Sequence, residues 1–172
     1  MRQVGHDEGV EERDATGSPR SSSRSEEGVA PAGSYVWYVD GMNVIGARPD
    51  GWWRDRAGAV GRLSAELERF ARCRGERVLV VFDGHAPPSR SRREGEASRP
   101  GGLLETRFAP GGPDAADKVL LAILADLAGP RDLVTLVSSD RALVSAGRAA
   151  GVATMGAASF LRTLATAFHN AP

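Results

Sequence analysis

An α/β fold is what this sequence predicts: a three-layer α/β/α sandwich around a mainly parallel sheet of about five strands. Three observations carry that expectation. Short runs of aromatic and β-branched residues alternate with amphipathic helical stretches, the order of βα units packed on a parallel sheet. The runs at 77–82 and 133–137 are apolar almost throughout, as strands covered on both faces must be. Three of the runs lead into an aspartate, and ligands of open α/β sheets bind just beyond the carboxyl ends of the strands.

Taken in order, residues 1–34 are expected to form a disordered tail and residues 35–168 the folded domain. The tail runs through Gly, Ser, Glu, Asp and Arg without an aromatic, so too little apolar surface is available to offset the entropy of ordering. The first strand, Tyr35 to Val39, has the side chains that suit a covered pleated surface. It stops at Asp40-Gly41, where the aspartate either caps a turn or faces a ligand. Asn43, three residues on, could hydrogen-bond that carboxylate or a substrate. Residues 46–53 read as a loop carrying Trp52 and Trp53. These indoles either lid the core, the commoner use, or stack on nucleobases. A helix is predicted from about Asp55 to Arg74, with Val60, Leu63, Leu67 and Phe70 or Ala71 on one face and Gly75 as its C-cap.

The second strand, Arg77 to Phe82, again ends in a carboxylate and a turn, Asp83-Gly84-His85. Residues 86–102 are rich in Pro, Ser, Gly and Arg and form a basic loop beside that carboxylate. Arg90, Arg92, Arg93 and Arg99 make it either a phosphate-gripping arm, the reading favoured by its position, or a solvated surface. A short strand, Leu103 to Phe108, precedes a helix running from Pro113-Asp114 to about Ala128. Asp114 is expected to cap this helix. Asp117, Leu121 and Leu124 share one stripe at i, i+4 and i+7, so Asp117 is expected to face the sheet, where a carboxylate needs a cation. The strand Leu133 to Val137 finishes as Ser138-Ser139-Asp140, with Ser139 or Asp140 the N-cap of a helix to about Ala150. A last strand, Gly151 to Met155, and a closing helix over 157–168 complete the domain.

Composition narrows the class. A chain of 172 residues suffices for one domain with a proper core. The single cysteine, Cys73, excludes an intramolecular disulfide and fits a reducing compartment. No run approaches the roughly 18 apolar residues of a membrane span, and the polar N-terminus lacks the pattern of a secretory signal, so a cytoplasmic protein with no membrane partner is expected. The net charge of +0 hides a split: residues 1–34 hold seven acids against four arginines, which leaves the remainder with an excess of base. That excess is nearly all arginine, since Lys118 is the only lysine. No feature of the sequence indicates an oligomer.

The strand-end acids Asp40, Asp83 and Asp140 should open onto one edge of the sheet, with Asp117 approaching from a helix start. Carboxylates gathered in this way repel one another unless cations neutralise them, and all-oxygen ligation selects Mg²⁺ or Mn²⁺. Such ions suit phosphodiester hydrolysis, where a pair about 3.5–4 Å apart clamps the attacking and leaving oxygens. Other chemistries are poorly supplied: there is no Gly-x-Ser-x-Gly elbow, no Walker lysine and no Gly-x-Gly-x-x-Gly loop after a strand.

Val39-Asp40-Gly41-Met42-Asn43-Val44-Ile45, Val80-Val81-Phe82-Asp83-Gly84-His85, Ala116-Asp117 and Ser138-Ser139-Asp140, in this order, resemble the motifs of NYN-domain nucleases of the PIN-like superfamily, in the YacP-like branch. The resemblance spans about residues 35–165 and implies a metal-dependent endoribonuclease with a PIN-like sheet. Carried across, it makes Asp40, Asp117 and Asp140 ligands of Mg²⁺ or Mn²⁺, and Asn43 the residue that positions Asp40 or the scissile phosphate. Asp83 becomes a fourth acid or an indirect partner and Ser139 a supporting donor, while Arg90, Arg92, Arg93, Arg99 and Lys118 would meet RNA. Lys118 departs from the pattern, because relatives often carry another acid there. Two other readings are a non-catalytic RNA-binding module on the same scaffold and a Mg²⁺-dependent phosphatase of the haloacid-dehalogenase type. The latter usually needs a second aspartate where Met42 stands.

Overall fold

The computed structural model describes residues 35–86, 102–112 and 114–169. The sheet has five strands, β1 (Val36–Asp40), β2 (Arg77–Asp83), β3 (Leu104–Ala109), β4 (Val134–Val137) and β5 (Ala153–Met155), in the order β3-β2-β1-β4-β5. Every neighbouring pair is parallel, with Val39 opposite Val80 on one side and Val137 on the other. The chain therefore winds outward from β1 to one edge, returns past it, and winds to the other edge. The reversal lies between β1 and β4, and their carboxyl ends frame the crevice such a reversal creates.

The side-chain alternation of the central strands separates two cores. Trp37, Val39, Val78, Val80 and Phe82 face α1 (Gly41–Gly46), α2 (Arg56–Arg74) and α5 (Ala157–His169). Leu79, Val81 and Leu136 face α3 (Ala115–Ala125) and α4 (Arg141–Ala149). Within the first core, Trp37, Phe70 and Phe160 meet with centroids 5.4–5.7 Å apart, two of the three pairs edge to face, an arrangement aromatic quadrupoles favour. The Trp37 indole donates to Glu76 at 2.7 Å, which satisfies its one polar atom. No helix among the described residues is long and apolar enough to cross a membrane.

The predicted helix over α2 forms with Val60, Leu63, Leu67, Phe70 and Ala71 buried, Asp55 as its cap and Gly75 in the left-handed conformation after its last turn. Three local expectations change. A six-residue helix, α1, follows Asp40 directly; it is too short to show a helical period, and it forms because Asp40 caps it and Val44 and Ile45 are buried beneath it. The α3 helix ends at Ala125 rather than Ala128, ahead of Gly129-Pro130. Its buried stripe is Ala116, Leu120 and Leu124, and Leu121 is 38% exposed, so Asp117 lies beside the sheet-facing stripe rather than on it. The two tryptophans divide: Trp52 packs on the core, whereas Trp53 is 65% exposed. The expected tail over 1–34 and the arginines at 90, 92, 93 and 99 lie outside the described residues.

The first turn of α1 lies flush on β2. A Cβ at Gly41 would overlap the ring of Phe82, and Phe82 is fully buried and stacked on Phe108 with centroids 5.6 Å apart. Alanine has the better helix propensity by about 1 kcal/mol, but overpacking an immobile ring costs about 1–3 kcal/mol. Gly41→Ala should therefore lower stability by up to about 2 kcal/mol, read as a lower urea midpoint at unchanged slope. An unchanged midpoint would show that the ring yields.

Candidate active site

β1 and β2 end in aspartates and β4 runs on into Ser138-Ser139-Asp140, and four of these side chains, Asp40, Asp83, Ser139 and Asp140, each accept an amide at the start of a helix. Asp40, only 5% exposed, closes β1 and accepts the Asn43 amide at 3.1 Å through Oδ1, capping α1. Its Oδ2 accepts the Ser138 hydroxyl at 3.0 Å. Asp83 closes β2 and accepts the Ala116 amide at 2.8 Å, so it caps α3 from another part of the chain. Asp140 accepts the Leu143 amide at 2.9 Å and caps α4. Ser139 Oγ accepts the Ala157 amide at 3.0 Å at the start of α5. Four helix N-termini thus point their amides toward one region, where the partial positive charge of each offsets part of the carboxylate repulsion.

The result is an open crevice of about 520 Å³, lined by Asp40, Asp83, Asp114, Asp117 and Asp140 together with Asn43 and Ser139. All four expected acids are brought together, and Asp114 joins them. Its expected capping role is not realised: the residue adopts φ 63° and its side chain bonds to no helix amide. The left-handed backbone turns the carboxylate away from the amides it would cap, and Asp83 takes the first of them instead. Of Ser139 and Asp140, it is Asp140 that caps α4.

Asn43 acts through two different groups. Its backbone amide holds Asp40, while its side-chain oxygen accepts the Ser139 amide at 2.9 Å, tying the end of β1 to the end of β4. Ser138 is the residue the sequence reading missed. Fully buried, its hydroxyl donates to Asp40 and accepts the Asp140 amide at 3.0 Å, so one side chain sets the distance between two acids. The doublet Ser138-Ser139 was its only signal, and strand alternation decides which of the two points inward. Arg56, at the start of α2, donates to the Asp83 carbonyl at 2.8 Å, a contact no local pattern announces. Lys118 is exposed on the turn that carries Asp117.

Electrostatics follow from this crowding. Burial pushes the Asp40 carboxyl up from its ordinary range, opposed by the bonds from Asn43 and Ser138, with Asp83 and Asp140 adding repulsion. Asp117 is pushed up to about 6, first by desolvation and then by Asp40, Asp140, Asp114 and Asp83. Among the described residues no three His, Cys, Asp or Glu side chains stand close enough to hold a metal ion by themselves. The donor set is nonetheless all oxygen, and Asp40, Asp83 and Asp140 already spend oxygens on helix amides. A cation here would keep several of its waters, the habit of magnesium.

A family model of the YacP-like NYN domain matches residues 37–171. The chain belongs to that family. YacP-like NYN proteins are PIN-like nucleases, and the matched span takes in every acid of the crevice. Two solved structures of Rae1 (YacP) from Bacillus subtilis are similar at 22% identity. One, a tryptophan-to-leucine mutant, has a TM-score of 0.61 over 78% of this chain and 77% of that one. The other has 0.58 over 78% and 75%. At this identity the likeness is one of fold. No curated protein sequence matches the chain at a significant level.

The raised Asp117 pKa of this NYN domain has a consequence for stability. Because the folded value lies above the unfolded one, ionisation of Asp117 disfavours the folded state. Its favourable contribution is complete below about pH 4 and is lost as pH rises through about 6. In EDTA, Asp117→Asn should melt higher than wild type at pH 7.5, and the gap should close toward pH 4.5. A gap independent of pH would show that Asp117 is not so perturbed.

Proposed function

We propose that this protein is a cytoplasmic, metal-dependent endoribonuclease that hydrolyses RNA phosphodiester bonds in the acidic crevice. The observation that carries the reading is the convergence of five carboxylates at the sheet's reversal point, in a family of PIN-like nucleases. Asp40, Asp117 and Asp140 would hold Mg²⁺ or Mn²⁺, which when bound supplies Lewis-acid polarisation and an activated water. Oxygen ligands of this kind suit those hard ions over zinc.

The chain's own residues perform the positioning. Ser138 and the Asn43 amide fix both oxygens of Asp40, so its carboxylate meets a ligand without reorganising. Asn43 binds Ser139 through its oxygen and keeps its NH₂ to donate toward a phosphate oxygen. Asp83 acts indirectly, through its cap on the helix that carries Asp117. Lys118, beside the crevice, supplies positive charge to an approaching backbone.

The decisive assay incubates pure protein with labelled RNA and Mn²⁺, with and without EDTA. Asp40→Asn, Asp117→Asn and Asp140→Asn should each abolish internal cleavage while RNA binding persists. Asparagine is the informative replacement, since it caps as well as aspartate, whereas alanine at Asp140 would cost about 1 kcal/mol of stability. Full activity in Asp140→Asn would overturn the assignment; release of phosphate from small monoesters would make the enzyme a phosphatase, and binding without cleavage a recognition module.

The arginines at 90, 92, 93 and 99 are proposed to grip the RNA backbone. Changing Arg90, Arg92, Arg93 and Arg99 together to alanine should weaken binding alike for all sequences, because phosphate contacts carry no base information. It should also flatten the plot of log K against log salt by roughly 3, at about 0.7 per contact with a single strand. Parallel plots of equal affinity would dismiss these arginines as an RNA contact.

A further inference from the structure

The exposed indole of Trp53 is not explained by packing. Its neighbour Trp52 turns onto the core, and the two rings meet edge to face with centroids 6.2 Å apart, so the half-buried indole braces the exposed one. The turn that presents them is hydrogen-bonded on both sides. Asp50 accepts the Trp52 amide at 3.1 Å, and the Gly51 carbonyl accepts the Arg54 amide at 3.0 Å. A large apolar face held in water by an ordered turn forgoes the stabilisation burial would give, and an aromatic held this way is available to a ligand.

Its surroundings specify the ligand. Three residues after Trp53, Arg56 reaches the carbonyl of Asp83, whose side chain lines the crevice. The turn therefore stands at the rim of the acidic site. Arg54 and Arg56 make no ion pair with a carboxylate among the described residues, in contrast to Arg48, Arg62 and Arg74. An exposed ring flanked by unneutralised guanidiniums matches the two faces of a single-stranded nucleic acid, a base to stack on and phosphates to pair with.

We propose that Trp53, Arg54 and Arg56 form a ledge that binds single-stranded RNA beside the cleavage crevice, with one base stacked on Trp53 and adjoining phosphates on the two arginines. This rests on the ribonuclease reading above and adds a determinant of substrate form: a duplex, whose bases are already stacked on each other, cannot use the ledge. Trp52 belongs to the fold and not to the ledge.

The test uses the full chain and a fluorescein-labelled single-stranded RNA of about 12 nucleotides, a length in the range such sites cover. Affinity is measured by anisotropy in EDTA, and KM and kcat by cleavage in Mn²⁺. Trp53→Ala should weaken binding on the order of tenfold or more, with the loss appearing in KM rather than kcat. Trp53→Phe, which keeps an aromatic face, should recover most of it. Arg54→Ala with Arg56→Ala should flatten the salt dependence by about 0.7 for each arginine. Equal affinity and KM in wild type and Trp53→Ala, with cleavage intact, overturn the ledge alone. An equal loss in Trp53→Phe and Trp53→Ala overturns stacking as its basis. A wild-type protein that neither binds nor cuts RNA overturns both the ledge and the ribonuclease reading.

Discussion

The hydrogen bonds from helix amides to the carboxylates of Asp40, Asp83 and Asp140 serve the fold and the site together. Acids gathered in a crevice destabilise a protein through desolvation and mutual repulsion, and the raised pKa of Asp117 records both, desolvation first. Helix N-termini offer unpaired amides and partial positive charge, both of which a carboxylate satisfies. Directing these termini at the crevice lets the acids accumulate there while each helix gains a cap. Among the described residues Asp117 has no such bond, and its pKa is pushed up to about 6.

The sheet order makes this convergence possible. Where the winding reverses, between β1 and β4, the two central strands send their following helices to opposite faces and leave their ends open. Asn43, in the helix after β1, and Ser138, just beyond β4, bridge that gap and hold the ends of β1 and β4 in register beyond the last backbone pairing. The flush contact of Gly41 on Phe82 belongs to the same requirement, since α1 must start at once for Asp40 to cap it.

At 22% identity to the Rae1 structures, most side chains differ while the sheet is retained. In this chain the fold rests on apolar alternation along the central strands, with acids at the ends of β1 and β2 and just beyond β4.

The sequence by itself determined the five strands, the longer helices and the acids at the strand ends, because each rests on a local period or a local stop. Val78 to Phe82 must be covered on both faces wherever it lies, and Val60, Leu63 and Leu67 must share a helix face. The short α1 helix escaped, since six residues show no period and its stability comes from a cap and from burial. Tertiary structure alone decided the division of labour among the polar groups. Asp114 lost its expected capping bond and Asp83 took it up while still lining the crevice, because a left-handed backbone angle turned one carboxylate away and strand pairing brought the other to the helix start. Ser138 rather than Ser139 joined Asp40 to Asp140, and Trp53 rather than Trp52 met the solvent. Neighbours in sequence have the same local signal, and only the packing of distant elements distinguishes the side chain that points inward from the one that points out.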